Sequence, residues 1–434
     1  MVSLGCARNR VDSEIMTGRL LAEGWTLAPD PAQADTIVVN TCSFIDAAVN
    51  ESIDTILDLA RHKQRGTCRR LIVVGCLPER YREKIIDALP EVDCFLGTGA
   101  FDEIMAAADP QNLFERCCLP DPGAVPPQAA DHPRLLTHAH TAYLKIAEGC
   151  NRLCTYCMIP RLRGRQKSRP LATIVAEARI LIDAGVRELN LVAQDTTAYG
   201  LDLCPPAHLA GLLDALAGLD PQVWIRLLYG HPESIDAATI AAMARHPNIC
   251  PYFDIPIQHA SPSVLKKMGR GATAQTMAGL FDHIRAAVPQ ASLRTTVMVG
   301  FPGETTRDFN LLLDFVTRVQ FDHLGAFVYC DAPELAAHGL ARHVAAATAK
   351  KRFNRIMALQ KQIAGRCHER HIGRIYPVLI EQRRTKATIT GRTMFQAPEV
   401  DGVVVIKDKT LAPGQVVPLR IVEVRGYDLM GKRL

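Results

Sequence analysis

No run of eighteen or more apolar residues occurs in the 434-residue chain, so no helix is expected to cross a membrane. The opening Met1-Val-Ser-Leu-Gly-Cys6 has no basic segment leading into a long apolar core. It does not read as a signal peptide, and a cytoplasmic protein is expected. Net charge is small, +5 from 50 Lys and Arg against 45 Asp and Glu, and does not by itself point to nucleic acid. Neither a P-loop nor a Ser/His/Asp arrangement is found, so phosphate-cradle and hydrolytic chemistry do not suggest themselves. A composition of 48% hydrophobic and 22% charged residues is globular, and the length suggests two to four domains.

Cysteine, by contrast, is plentiful, at fourteen residues. Disulfides are rare in cytosolic proteins, so metal or redox use is weighed first. Cys68, Cys94, Cys117, Cys118, Cys204, Cys250, Cys330 and Cys367 are read as scattered thiols packed like small hydrophobes. The other six fall into two sets of three.

Over residues 1–108, segments 35–40 and 70–75 read as buried strands with a helical stretch, 45–62, between them. Such alternation predicts an open parallel α/β sheet. Residues 109–140, with Pro120, Pro122, Pro126, Pro127 and Pro133, read as a linker or strap. Alternation resumes over 141–367, with strands predicted at 142–147, 188–192, 223–228, 252–257, 293–299 and 323–328. Six such units predict an incomplete (β/α)6 barrel, a fold whose chemistry sits in loops at the C-terminal strand ends. Ser168 is expected to cap the following helix, with Pro170 at its first position and Gly185 at its stop. Residues 348–369 read as a Lys/Arg-rich amphipathic helix. Over 368–434, short strands at 375–380, 387–390, 402–406 and 416–424 fit a small OB-like β-barrel.

Glu148-Gly-Cys-Asn-Arg-Leu-Cys-Thr-Tyr-Cys157 sets Cys150, Cys154 and Cys157 at C-x3-C-x2-C spacing, directly after a predicted strand. Three thiolates can hold three corners of a [4Fe–4S] cube and leave its fourth iron open. That iron can chelate the amine and carboxylate of S-adenosylmethionine, and one electron passed into the sulfonium releases a 5′-deoxyadenosyl radical. A zinc site is the plainer reading, but it usually wants a fourth Cys or His and more often uses paired C-x2-C. With Tyr156 before the last cysteine and a barrel around it, the motif resembles the radical S-adenosylmethionine superfamily. The resemblance implies that the backbone at Tyr156 faces the adenine.

Cys6, Cys42 and Cys76 each sit at or just after the end of a candidate strand, in Ser3-Leu-Gly-Cys6, Val38-Val-Asn-Thr-Cys42 and Val73-Val-Gly-Cys76. Strand ends share one edge of a parallel sheet. On spacing alone, convergence and independent packing are equally open. The blocks Ser3-Leu-Gly-Cys-Ala-Arg-Asn-Arg-Val-Asp-Ser-Glu14, Asn40-Thr-Cys-Ser-Phe-Ile45 and Gly75-Cys-Leu-Pro-Glu-Arg-Tyr81, in this order, resemble the methylthiotransferase family. That resemblance covers essentially the whole chain. It implies that the three cysteines hold an auxiliary [4Fe–4S] cluster with one open iron, making two clusters in all.

Ala193-Gln-Asp-Thr-Thr-Ala-Tyr-Gly200 resembles the RimO branch of this family. It implies that Gln194 and Asp195 approach the methionine end of the cofactor, against the plainer reading as turn and cap residues. Gly391-Arg-Thr-Met-Phe-Gln-Ala-Pro-Glu-Val-Asp-Gly402 and Tyr427-Asp-Leu-Met-Gly431 resemble the branch's C-terminal motifs, and the tail its TRAM domain. Members attach a methylthio group to the β-carbon of an aspartate in ribosomal protein S-twelve. The implied reaction uses S-adenosylmethionine twice, once to methylate a sulfur at the auxiliary cluster and once to yield the radical. The implied partners are ribosomal protein S-twelve or the small ribosomal subunit, and an electron donor such as flavodoxin or ferredoxin.

Three features depart from the family pattern. Cys330-Asp-Ala-Pro-Glu-Leu335 lacks an expected Glu-Gly pair, and Gln396 replaces an acidic residue. Met1 stands close to Cys6, so the first strand is expected to be short, which leaves open a few missing residues upstream. Gln258 and His259 read equally as a satisfied strand-end pair or as site residues. Gly300, Pro302 and Gly303 read as turn-formers. Glu304 is expected to cap the next helix, and Arg294 to pair with a carboxylate. Over 369–434, twelve Lys and Arg oppose seven Asp and Glu, 12 − 7 = +5, a balance that suits RNA phosphates. Glu399 and Asp401, in one turn region, are expected instead to dock a basic protein substrate. The alternatives are methylthio transfer to a transfer-RNA adenosine, and a non-enzymatic iron–sulfur protein that binds RNA or shuttles electrons.

Overall fold

The computed structural model describes residues 1–109, 111–112, 114–126, 128–129 and 133–434; Pro127 of the expected linker lies outside them. The first layer is a five-stranded sheet of Val2–Ser3 (β1), Thr36–Thr41 (β2), Arg70–Gly75 (β3), Cys94–Leu96 (β4) and Cys117–Cys118 (β5) in that order. Every pairing is parallel. The Val- and Ile-rich runs of β2 and β3 are buried on both faces, as parallel strands at the centre of a covered sheet must be. Strand β5 falls in the stretch expected to be a linker. Cys117 and Cys118 pair with Phe95 and Leu96, so the sheet extends past residue 108.

Helix Ala7–Ala22 buries Asn9, Asp12, Ser13 and Glu14 along with its apolar residues. Burial on so many sides marks a helix held between layers. Its Ala7, Val11 and Ile15 share one core with Tyr143, Val192 and Trp224 of the barrel and with Leu379 and Ala397 of the tail.

The barrel starts with Thr141–Lys145 (β6). Ala147–Glu148 (β7) and Lys167–Ser168 (β8) then form an antiparallel pair bracketing residues 149–166. Next come Glu188–Val192 (β9), Trp224–Leu227 (β10), Tyr252–Asp254 (β11), Ser292–Val299 (β12) and His323–Val328 (β13). Six strands run parallel as β6-β9-β10 and β11-β12-β13; the Ile225–Ile249 bridge joins the two halves, and the Gly230 N–H donates across to the Asp254 carbonyl at 2.8 Å. Among the described residues β6 and β13 do not pair, so the barrel is incomplete, as expected. Strand β11 stops at Asp254, short of the expected residue 257, because Pro256 offers no N–H to a ladder.

Two expected caps are replaced. Pro170 itself caps helix Leu171–Asp183, while Ser168 lies in β8 and gives its hydroxyl to Asp202 at 2.6 Å. Gly185 does follow the helix, at φ +98°. Helix Thr306–Val319 is capped by Thr305 in a reciprocal box with Asp308. Glu304 instead accepts the N–H groups of Gly300 and Phe301 and holds the turn before it.

Helix Ala346–Glu369 leads into a closed barrel of Ile375–Arg383 (β14), Thr388–Arg392 (β15), Val404–Lys407 (β16), Val416–Arg425 (β17) and Asp428–Arg433 (β18), ordered β14-β15-β16-β18-β17. Strand β18, not foreseen as a strand, closes it. Cys68, Cys94 and Cys250 are buried as expected, but Cys204 is exposed. Among the described residues no helix is long and apolar enough to cross a membrane.

Candidate active site

Three strand ends build the first triad. Thr41 lies beside Gly75 in the β2–β3 register, so the chain leaves both strands at one edge, into Cys42 and Cys76. Asn9, one helical turn after Cys6, ties this edge together. Its Nδ2 donates to the carbonyls of Leu4 at 3.2 Å and Thr41 at 2.8 Å. Its Oδ1 lies 4.0 Å from Cys6 Sγ and 3.9 Å from Cys76 Sγ. Gly5, at φ +86°, allows the close approach: a Cβ there would stand 2.7 Å from the Cβ of Cys42. Burial pushes the Cys76 thiol up to about 11 and raises Cys42 as well. For Cys6, burial also opposes ionisation, but the Arg8 and Arg163 cations outweigh it and the thiol is lowered.

The second triad occupies the loop between β7 and β8. The N–H of Cys150 donates to the Gly164 carbonyl and that of Cys157 to the Cys154 carbonyl, both at 3.1 Å, folding the loop on itself. Burial raises the Cys150 thiol and takes Cys157 to about 12. All six thiols line one cavity of about 610 Å³, together with Tyr156, Gln194, Asp195 and Gln258. The Tyr156 hydroxyl accepts from Arg270 at 2.8 and 3.1 Å, and its ring meets Phe301 edge-on. His259 is fully buried; its Nδ1 accepts the Ser261 N–H at 2.9 Å, while its Nε2 has no hydrogen-bond partner among the described residues and lies 3.6 Å from Glu304.

A buried charge network, absent from the sequence expectations, joins the two loops. Lys145 Nζ lies 2.5 Å from Asp12 and 2.6 Å from Glu148. Arg163 reaches Asp12 at 2.8 Å, Asn9 Oδ1 at 2.5 Å and Cys76 Sγ at 3.6 Å. Two cations and two carboxylates balance, which makes burial of Asp12, Lys145 and Arg163 and partial burial of Glu148 tolerable. Burial works against ionisation of Glu148, but Lys145 and Arg163 overcome it and hold the carboxyl well below its usual range. Gln194 donates to Glu148. Asp195 accepts from Arg152 at 3.0 Å and from the Thr197 hydroxyl at 2.8 Å. The available signal was helical spacing: Cys6, Asn9 and Asp12 share a face.

Among the described residues, no three His, Cys, Asp or Glu side chains close to the spacing of a single-ion site. Each set of three thiols borders a cavity with room for an iron–sulfur cluster, whose three-cysteine ligation leaves one iron open, whereas a structural zinc site usually closes on four ligands.

Residues 1–97 match the uncharacterized protein family UPF0004, residues 144–316 the radical SAM superfamily, and residues 372–434 the TRAM domain. The chain is 54% identical to the ribosomal protein uS12 methylthiotransferase RimO of Desulfosudis oleivorans over 100% of this chain and 99% of that protein. The chain belongs to the RimO family. It is 43% identical to the RimO of Geobacter sulfurreducens, over 100% of this chain and 97% of that protein. Among solved structures, the radical S-adenosylmethionine methyltransferase TsrM of Kitasatospora setae, with cobalamin and a [4Fe–4S] cluster bound, shares the fold. The TM-score is 0.56 at 14% identity, covering 77% of this chain and 74% of that one.

Of the two tail carboxylates expected to dock a substrate, Asp401 is buried and Glu399 is exposed. Asp401 accepts from the Tyr252 hydroxyl at 2.6 Å and the Ala397 N–H at 2.8 Å, and lies 3.3 Å from His323. Its side chain is only 2% exposed. It ties tail to barrel and, so buried, does not meet a partner in this fold. Arg294 reaches both Asp254, at 2.8 Å, and Asp401, at 3.7 Å. Glu399 is half exposed but engaged by Arg10 of the first helix, one bond at 3.1 Å, so the chain's own arginine holds the place a basic partner would take. Gln396 donates to the Gly402 carbonyl and accepts from Thr393, satisfying the turn on both sides. In the atypical segment, Ala332 and Leu335 pack on Cys76, Met158 and Leu162, bracing both cysteine loops.

Proposed function

We propose that this chain is a radical S-adenosylmethionine methylthiotransferase that adds a methylthio group to the β-carbon of an aspartate in ribosomal protein uS12. The reading rests on one cavity walled by two cysteine triads, in a chain 54% identical end to end to a protein named for that activity. Cys150, Cys154 and Cys157 would hold one [4Fe–4S] cluster, and Cys6, Cys42 and Cys76 a second. Clusters of this kind, with S-adenosylmethionine bound, supply one-electron chemistry able to activate a C–H bond that acid–base catalysis leaves untouched.

The chain's own residues orient and hold. Tyr156, Gln194 and Asp195 form the wall that would receive S-adenosylmethionine. Arg152 fixes Asp195, while Lys145 and Arg163 fix the Glu148 that holds Gln194. Arg8 and Arg163 favour the thiolate form of Cys6, the form that binds iron. In this reading residues 1–118, through β5, carry the auxiliary triad, the segment on to 140 leads to the radical domain at 141–367, and 368–434 form the TRAM domain. Flavodoxin or ferredoxin supplies electrons, and the small ribosomal subunit, in the cytoplasm, presents the substrate.

Mass spectrometry of uS12 treated with reconstituted enzyme tests the reading. One aspartate should gain a methylthio group, and deuterium placed on its β-carbon should appear in 5′-deoxyadenosine. Unmodified uS12 together with methylthiolated adenosine in transfer RNA would move the substrate to RNA.

A further inference from the structure

Four arginines wall the cavity; two pair with carboxylates, and a third has all three guanidinium nitrogens bonded to neutral oxygens. Arg152 pairs with Asp195 and Glu233, Arg163 with Asp12 and Glu148. Arg270 gives its N–H groups to the Tyr156 hydroxyl and the Pro256 carbonyl. Arg8 differs. Its Nη1 donates to the Ala193 carbonyl at 2.8 Å, and its guanidinium carbon lies 4.6 Å over the Tyr229 ring. Among the described residues no carboxylate stands at ion-pair distance from it, and no other hydrogen bond engages its remaining N–H groups.

A guanidinium pinned through one nitrogen and stacked on an aromatic face is oriented, and although the Cys6 thiolate lies near enough to interact with its charge, no carboxylate is bonded to it. Arginine does not deprotonate in proteins, so the charge stays. The edge formed by Nε and Nη2 is the fork that matches a carboxylate with two parallel bonds. Its place is defined too. Ala193 follows β9, Tyr229 follows β10, and Cys6 is two residues upstream, so Arg8 stands at the seam between the auxiliary triad and the barrel. The methionine carboxylate of the cofactor belongs with the other triad, at Cys150.

Resting on the proposed reaction, we infer that Arg8 receives the side-chain carboxylate of the substrate aspartate and so presents the adjacent β-carbon between the two triads. An aspartate carries this anion one bond from the reacting carbon. An asparagine has the shape without the charge.

The test is titration of reconstituted holoprotein with two uS12 peptides, one carrying the target aspartate and one with asparagine in its place. Iron content is read on the same samples. Wild type should bind the aspartate peptide roughly 10- to 100-fold more tightly, the factor a charged hydrogen-bonded pair supplies. R8Q should bind both alike. R8K, which keeps the charge beside Cys6 but loses the fork, should retain its iron and only part of the preference. Equal preference in wild type and R8Q overturns the assignment of Arg8 and leaves the reaction standing. Loss of iron in R8Q with the preference intact makes Arg8 a counter-ion of the thiolates, and also overturns it. No preference in wild type removes the aspartate substrate itself, and the inference with it.

Discussion

Arg163 touches both halves of the site, reaching Asp12, Asn9 and Cys76 on one side and Glu148 on the other. Replacing it by methionine strips two buried carboxylates of a partner. The cost should be about 3–5 kcal/mol in urea unfolding of the apo-protein. The cysteines give a second prediction. Changing Cys150, Cys154 and Cys157 together to alanine should halve iron and sulfide and abolish S-adenosylmethionine cleavage. Changing Cys6, Cys42 and Cys76 should also halve iron, but leave cleavage in place and stop methylthio transfer. Only one cluster's worth of iron in reconstituted wild type would falsify the two-cluster assignment. The six cysteines could be picked out from sequence because thiols have few uses and their blocks come in a recognisable order. Lys145 and Arg163 could not, since their partner Asp12 lies 133 and 151 residues away and nothing local marks either residue.

Helix Ala346–Glu369 meets the tail barrel through a stack of histidines. His371 lies flat on Phe395, centroids 4.1 Å apart, with Nδ1 2.8 Å from the Tyr376 hydroxyl. Burial, with Arg370 and His368 beside it, pushes His371 down to about 3. Burial, with His323 and Arg370, takes His368 to about 4. Both stay neutral in the fold, yet the unfolded chain takes up protons near pH 6.5. Their contribution is therefore complete above about pH 6.5 and is lost as pH falls toward 4 and then 3, at about 1.4 kcal/mol per unit for each histidine. H371F should flatten this acid limb when denaturation midpoints are followed against pH; an unchanged slope counts against the mechanism. Legibility at this scale follows local pattern. β9 and β13 are long enough in Val, Leu and Phe to be bounded to the residue. Ser168 looked like a cap because Asp202, which claims its hydroxyl, lies 34 residues on. β18, Asp-Leu-Met-Gly-Lys-Arg, shows little of the apolar alternation that marks a strand.

The whole molecule is held closed by ion pairs that cross its parts. Glu188 of β9, fully buried, accepts from Arg226 at 2.8 Å and from Arg392 of the tail at 2.5 Å. Burial opposes its ionisation, but the two arginines hold it down near 2. Arg392→Ala should cost about 3–5 kcal/mol and expose the junction near residue 370 to limited proteolysis. The parallel sheet and the incomplete barrel were foreseeable from strand–helix alternation, and the small β-barrel from short strands set between turns. Their docking was not, because Glu188 reads only as a strand residue and Arg392 only as part of a motif. The first helix carries the same design to its extreme. Arg10 bonds Glu399, 389 residues later, and Asn9 bonds Arg163, 154 residues later. At the usual pace of synthesis, about 5–20 residues per second, Asn9 waits roughly 8–30 s for its arginine and Arg10 roughly 20–80 s for its glutamate. For that interval Cys6, Cys42 and Cys76 have emerged but lack the wall that will enclose them. The nascent chain therefore has to keep three thiols reduced for tens of seconds, until the barrel strands out to Phe327 arrive to enclose the site.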